Sequence, residues 1–537
     1  MEPVEPARGA RRIYFDSFVT IGPRPGKHPC ERWSLQDVLR TMDRCGIDAA
    51  LVAHSLAAHY DPLFGNRILL EEIAGNPRLH PCWVVMPAAA RDFPKPQQLV
   101  EMMRTAGVRA AKIFPSRFRF SLNDYQAADL LEALQAEGIL LLIELPETDL
   151  STVHRLCRQY RKLRVLVQKA DWRELRELLG VLFDCENLYV EFSSLQAHRI
   201  LEYLARELGP ERLLFGSEAP VKSPGAARAL LDYAELDEPT KSLIAGENLR
   251  RLLGTPDLRP AAPESEDPLI RLAQQGLPFE GEAMVDAHAH VVSEGCEHAG
   301  GIRMPEAGPE PMLAGFRRLG VRKLLVSSFL GIWSDAARGN RELLTILRRH
   351  PDELLGYVTI DPTHQTPEEV EREIQTYHLW ARWPGLKPYF PRNELPLTSP
   401  LYRRWWEFAD QHRLLALVHF DLEKTEAEVD ELADRYPGVA FLCAHSGATF
   451  EFATMAAALA ERHSNVYLEL TITNVPLTII EYLVERVGSQ RVLFGTDAPM
   501  RDPRPQFGWV VYSELDVEAR RDILGRNALR LLQRVTW

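Results

Sequence analysis

A chain of 537 residues is longer than one ordinary domain, and 46% apolar with 26% charged residues is the balance of a globular protein, which argues for two sizeable cores and against general disorder. The formal net charge of −12 is spread along the chain and no Lys/Arg-rich run alternates with aromatics, so no nucleic-acid partner is expected. The start, MEPVEPARGARR, lacks the apolar stretch of a secretory signal, runs such as ILLLI fall far short of a membrane span, and seven cysteines without a C-x-x-C pair fit reduced thiols: the expectation is a cytoplasmic protein that meets no membrane.

In chain order, the first half offers the short apolar runs RIYFDSF, DAALVAH, HPCWVVM, VRAAKIF, ILLLIEL, RVLVQ, LYVEFS and RLLFGS, most of them separated by amphipathic stretches of helical length. A Pro-rich acidic stretch, GTPDLRPAAPESEDP, follows and suits an exposed linker, with the helix-like LIRLAQQGL after it. The second half then gives MVDAHAHV, KLLVSSF, GYVTID, GLKPYF, LLALVHF, AFLCAHS, NVYLELT and RVLFGTD. Eight strand–helix units in each half have the size and rhythm of a (β/α)8 barrel; an open doubly wound sheet is the alternative, against which the eight units argue for closure.

The halves repeat one another. Pairing Asp16 with Asp286, Lys112 with Lys387, Glu144 with His419, Asn187 with Asn465, Glu218 with Asp497 and Asn248 with Asn527 gives offsets of 270, 275, 275, 278, 279 and 279, a smooth drift of the kind loop insertions produce. The sequence therefore predicts two tandem barrels: a degenerate copy over 1–253, a linker and short helix over 254–283, and a second copy over 284–537.

In H-A-H of the second copy, side chains two apart on a strand project to one face, so His288 and His290 converge inside the barrel. His419, His445 and Asp497 close the fifth, sixth and eighth strands at the C-terminal ends, where barrel enzymes keep their sites. Three imidazoles and a carboxylate suit zinc or another borderline divalent ion with one position left open for water.

The motifs VDAHAH, GLKPYF, LVHF, CAHSGA and FGTDAP, in this order across residues 284–537, resemble the amidohydrolase-related branch of the amidohydrolase superfamily, which includes hydrolases and decarboxylases. The resemblance implies that His288, His290, His419 and Asp497 ligate one divalent metal, zinc first and manganese or iron as alternatives, and that His445 touches the metal-bound water or the substrate. Asp497 is then also the general base, and His445 the group that orients or protonates. The function it implies is metal-dependent hydrolysis of an ester, lactone or amide carbonyl in a small organic, carboxylate-bearing substrate. Non-oxidative decarboxylation of a conjugated or aromatic acid on the same site is the alternative. Lys387 and Arg392 are candidate substrate-binding groups, with Arg501 a further basic group near the mouth. Trp333, Trp383 and Tyr389 are candidates for an aromatic wall.

In the first copy Phe18 and Thr20 stand where His288 and His290 stand, Glu144 replaces His419, and Lys169 falls opposite His445. That copy has lost the metal ligands while keeping the barrel pattern. The expectation is a metal-free barrel acting as an intramolecular pseudo-subunit beside the active one; the sequence leaves the oligomeric state open.

Overall fold

The computed structural model describes residues 11–25, 28–388, 395–420 and 424–537. In the first half the barrel strands are β1 (Phe15–Ile21), β2 (Ala49–His54), β3 (Leu79–Val84), β4 (Ala110–Ile113), β5 (Leu140–Glu144), β6 (Val165–Gln168), β7 (Leu188–Glu191) and β8 (Leu213–Leu214). In the second they are β9 (Val285–Val291), β10 (Lys323–Ser328), β11 (Leu354–Ile360), β12 (Gly385–Pro388), β13 (Leu415–His419), β14 (Ala440–Ala444), β15 (Val466–Glu469) and β16 (Val492–Leu493). Each set pairs in parallel in sequence order. Both close on themselves: Ser17 and Thr20 N–H donate to the Phe215 and Ala219 carbonyls (both 2.9 Å), and Ala287 and His290 to Phe494 (3.0 Å) and Ala498 (2.7 Å). The chain is thus two tandem (β/α)8 barrels, and all sixteen expected strands are present.

The strands form because their apolar runs are buried on both faces, as parallel strands under helices must be. Inside the second barrel Val285, Ala287, Leu415, Leu417, Leu442 and Leu493 make a cluster closed by Ala528 and Leu531 of the last helix, Asn527–Arg534. Phe15, Leu140, Leu142, Leu166 and Leu214 do the same in the first, closed by Leu249 and Leu252. The first strand of each copy carries an extra residue. Asp286 pairs with Leu324 but Ala289 with Val326, and Asp16 and Val19 repeat the step. Such a bulge re-aims side chains, here letting Ala287 fill the interior while His288 and His290 turn into the mouth.

The barrels pack through one helix from each, Pro224–Asp232 and Pro503–Val511, whose ends correspond at an offset of 279. A Cβ on Gly508 would lie 2.1 Å from the Gly225 carbonyl oxygen, and one on Gly225 2.4 Å from Tyr512 Cβ, so glycine permits the contact at both positions. Ser223 N–H donates to the Val475 carbonyl (3.0 Å) and Asp502 N–H to that of Gln196 (2.8 Å). Those two bonds are the same bond in opposite directions, since both residues shift by 279. The interface is therefore isologous, like that of a two-fold dimer. Arg504 closes it with a buried pair to Glu202 of the first barrel, at 2.7 and 3.1 Å. All seven cysteines are unpaired. Among the described residues no helix is long and apolar enough to cross a membrane.

Candidate metal centre

Six side chains meet at the C-terminal mouth of the second barrel: His288 and His290 from β9, Lys387 from β12, His419 at the end of β13, His445 after β14 and Asp497 after β16. His288, His290 and Asp497 bring one donor atom each to within 4.8 Å of one another, all buried. His290 Nε2 lies 2.8 Å from Asp497 Oδ1 and His288 Nε2 3.8 Å from it. The outer nitrogens are occupied. His288 Nδ1 lies 2.9 Å from Glu469 Oε2, and His290 Nδ1 2.8 Å from Ser327 Oγ. A carboxylate can only accept, so Glu469 fixes the His288 proton on Nδ1 and leaves the Nε2 lone pair facing the centre, the orientation a metal ligand requires.

Gly495 makes this geometry possible, because a Cβ there would lie 2.3 Å from Glu469 Oε1 and 2.8 Å from His288 Cβ. That is the physical content of the glycine in RVLFGTD. Asp497 and His445 both adopt left-handed backbone, φ 60° and 66°, which non-glycine residues hold only when the surroundings enforce it. His419 sits to one side, its Nδ1 3.2 Å from His445 Nε2, and it does not join the tight triad. His445 Nδ1 donates to the Thr471 carbonyl at 2.6 Å.

Burial, then the Lys387 charge, holds the His288 pKa well below the imidazole value, and burial lowers His290 against the pull of Asp497. Burial also takes His445 down to about 4. Burial alone would raise Asp497, but Arg501 and the two β9 histidines hold it well below the usual carboxylate range. The site is thus a set of neutral imidazoles around one ionised carboxylate. Lys387 is brought down to about 8 by burial, with Asp497 and Glu469 opposing.

Glu469 and Ser327 are the site residues that sequence reasoning missed. A signal existed for Glu469: it sits in NVYLEL where Glu191 sits in NLYVEF, at the 278 offset of Asn187 and Asn465. Arg501, expected as a basic group near the mouth, ion-pairs with Asp497. Trp383 is buried beside Tyr377 as a packing residue rather than a pocket wall. Arg392 and Tyr389 lie outside the described residues.

The first barrel shows what replaces a metal site. Lys169, opposite His445, bridges Glu144 Oε2 (2.9 Å) and Glu218 Oε1 (2.7 Å), while Lys112 pairs with Glu144 (2.6 Å) and Lys222 with Glu218 (3.0 Å). Phe18, in the place of His288, lies under the Lys112 ammonium at 4.2 Å. The Lys169 ammonium supplies the central positive charge beneath a cavity of about 230 Å³, and Lys169 and Glu218 keep the left-handed backbone of their counterparts, φ 57° and 60°. Burial alone would raise the Glu144 carboxyl, but Lys112 and Lys169 override it and hold it at about 2 against an ordinary 4.5. A depressed folded pKa means stability present above pH 4.5 and lost as pH falls towards 2, here about 3 kcal/mol. Denaturant unfolding of the first barrel is expected to weaken across that window. In a Lys169→Met variant Glu144 keeps Lys112 and Glu218 keeps Lys222, so the loss on acidification should be smaller than in the wild type; a parallel pH response in the two proteins would contradict the bridge.

A family model described as amidohydrolase matches residues 64–255 and 285–534, one segment in each half. Solved structures to which the chain is similar include 2,6-dihydroxybenzoate decarboxylase from Rhizobium (14% identity, 47% of this chain and 99% of that one, TM-score 0.38). A dihydroxybenzoic acid decarboxylase from a Polaromonas species with bound manganese (15%, 47% and 97%, 0.38) and 5-carboxyvanillate decarboxylase from Sphingomonas paucimobilis (16%, 47% and 99%, 0.37) are similar to the same degree. No curated protein matches the chain.

Proposed function

The chain belongs to the amidohydrolase family, whose model spans a segment of each barrel, and on that premise we propose that its second barrel is a metal-dependent hydrolase acting on an ester, lactone or amide carbonyl of a small organic carboxylate. The observation that carries this reading is the convergence of His288, His290 and Asp497 with the His288 Nε2 lone pair aimed inward. Neutral nitrogens with one carboxylate are the donor set of a borderline divalent ion, zinc before manganese or iron, with His419 as the fourth ligand. Such an ion supplies a water of lowered pKa, from about 15.7 towards 7, and a polarised carbonyl.

The chain's own groups do the rest. Glu469 and Ser327 orient the two β9 imidazoles. The Thr471 carbonyl accepts the Nδ1 proton of His445, so its Nε2 lone pair faces His419 Nδ1 at 3.2 Å and His445 orients that imidazole, while Asp497 is the base that takes a proton from the attacking water and returns it to the leaving group. Lys387 faces no carboxylate within ion-pair distance among the described residues, unlike Lys112 in the first barrel, and serves as the amine that holds the substrate carboxylate. The first barrel has an ammonium where this chemistry needs a metal and is not catalytic.

Metal-supplemented protein offered a panel of lactones, aryl esters, amides and aromatic acids tests the reading. Release of acid from an acyl substrate, without carbon dioxide, is the expected outcome. Carbon dioxide from an aromatic acid, with every acyl compound left intact, would replace hydrolysis by decarboxylation on the same residues.

A further inference from the structure

The second barrel holds its site together through one loop, residues 470–478, that follows β15. Thr471 N–H donates to Glu469 Oε1 at 2.7 Å, and Glu469 in turn orients His288. The Thr471 carbonyl holds His445. Thr473 Oγ1 accepts from Arg501 Nε at 2.7 Å, and Arg501 grips Asp497 Oδ2. Three groups of the proposed centre therefore depend on where this loop lies.

The loop does not hold itself. It contains no regular secondary structure, and Val475 and Thr478 are left-handed at φ 37° and 69°. A β-branched residue in that region is a genuine outlier, and it persists only where the surroundings impose it. Those surroundings include the first barrel. Trp172 Nε1 donates to Thr473 Oγ1 (2.9 Å) and Gln196 Nε2 to the Thr473 carbonyl (3.1 Å). Ser223 N–H donates to the Val475 carbonyl (3.0 Å), Leu477 N–H to the Val221 carbonyl (3.1 Å), and Thr478 Oγ1 to the Cys30 carbonyl (2.8 Å). Other backbone groups of the loop are held by its own barrel, where Gln506 Nε2 donates to the Ile472 carbonyl and Trp509 Nε1 to that of Pro476 (both 3.0 Å), so the strained segment is anchored from both domains. Trp172 is itself buried, and its ring lies 5.4 Å from the Arg501 guanidinium.

We propose that the metal-free barrel is a positioning element of the metal centre, with Trp172 the positioning residue that fixes Thr473, and through it Arg501 and Asp497. Thr473 Oγ1 accepts two hydrogen bonds, one from each barrel, and is the point where the two domains are coupled. This inference rests on the metal-centre reading above, and its test separates the two.

Cobalt(II) is the probe, titrated into metal-stripped full-length protein and followed by its visible absorption. Groups that orient a ligand typically contribute about 10–100-fold to metal affinity. Trp172→Phe keeps the ring and loses the N–H donor; Thr473→Val keeps the shape and loses the acceptor. Each is expected to weaken cobalt binding about tenfold while retaining the saturating stoichiometry. The double variant should be no weaker than the worse single one, because both changes break the same relay. Thr473→Ser restores the hydroxyl and should bind as the wild type does. If Thr473→Val does not fold, Trp172→Phe carries the test alone. Unchanged affinity in Trp172→Phe, or equal weakening in Thr473→Ser and Thr473→Val, overturns the positioning role and leaves the metal centre standing. A wild type that takes up no cobalt overturns the metal centre and this inference with it.

Discussion

A His288→Ala/His290→Ala variant is expected to lose its bound metal completely, from about one equivalent per chain in the wild type to none by elemental analysis. Two of the three donors of the tight triad come from β9, and their loss leaves only Asp497 with the more distant His419, too few ligands to hold the ion. Stability should follow occupancy. A ligand present at a thousand times its Kd adds about 4 kcal/mol to the folded state, so chelation should lower the unfolding temperature of the wild type and leave that of the variant unmoved. Metal retained by the double variant would contradict this centre. The cluster to inspect would then be His154, Asp184 and Cys185 on the first barrel, whose donor atoms also lie within 4.8 Å of one another.

Arg504→Ala is expected to cost 3–5 kcal/mol, on the order of the penalty for stranding a buried charge, and to be the most destabilising single change at the interface. Burial would raise the Glu202 carboxyl, yet Arg504 holds it at about 2, and Arg504 also bonds Asp502 within its own barrel. Removing the guanidinium leaves two buried carboxylates facing each other across the domain boundary. Calorimetry should then resolve two transitions where the wild type gives one, because the cooperativity that joins the barrels runs through this contact. A single transition with an unfolding temperature close to that of the wild type would show that the helix packing around Gly225 and Gly508 suffices. Replacing both partners, as Glu202→Met/Arg504→Met, should recover part of the loss, since no charge is then left without its pair.

The architecture was legible because parallel barrel strands are short apolar runs at regular spacing, and one chain wrote them twice. RVLFGTD and RLLFGS align the halves, and the drift of offsets places each ligand opposite its replacement. What stayed hidden depends on contacts between distant residues. Glu469 was disguised by its twin: Glu191 accepts from Ser193 N–H at 2.6 Å much as Glu469 accepts from Thr471, so a turn-capping carboxylate in both halves gave no sign that one of them also steers an imidazole. Lys169 was read as the residue opposite His445, but only closure of the barrel brings its ammonium between Glu144 and Glu218. Trp172 and Thr473 are 301 residues apart, and no local pattern announces such a bond.

The reciprocal bonds of Ser223 and Asp502 have a consequence for how such a chain can change. In a dimer of identical subunits every substitution appears twice, so a histidine lost from one site is lost from both. Joined in one polypeptide, the two copies keep the geometry of that dimer but not its identity. Phe18 and Thr20 could take the first strand while His288 and His290 kept the second, and Trp172 could be turned to the service of a neighbour that owes it nothing in return.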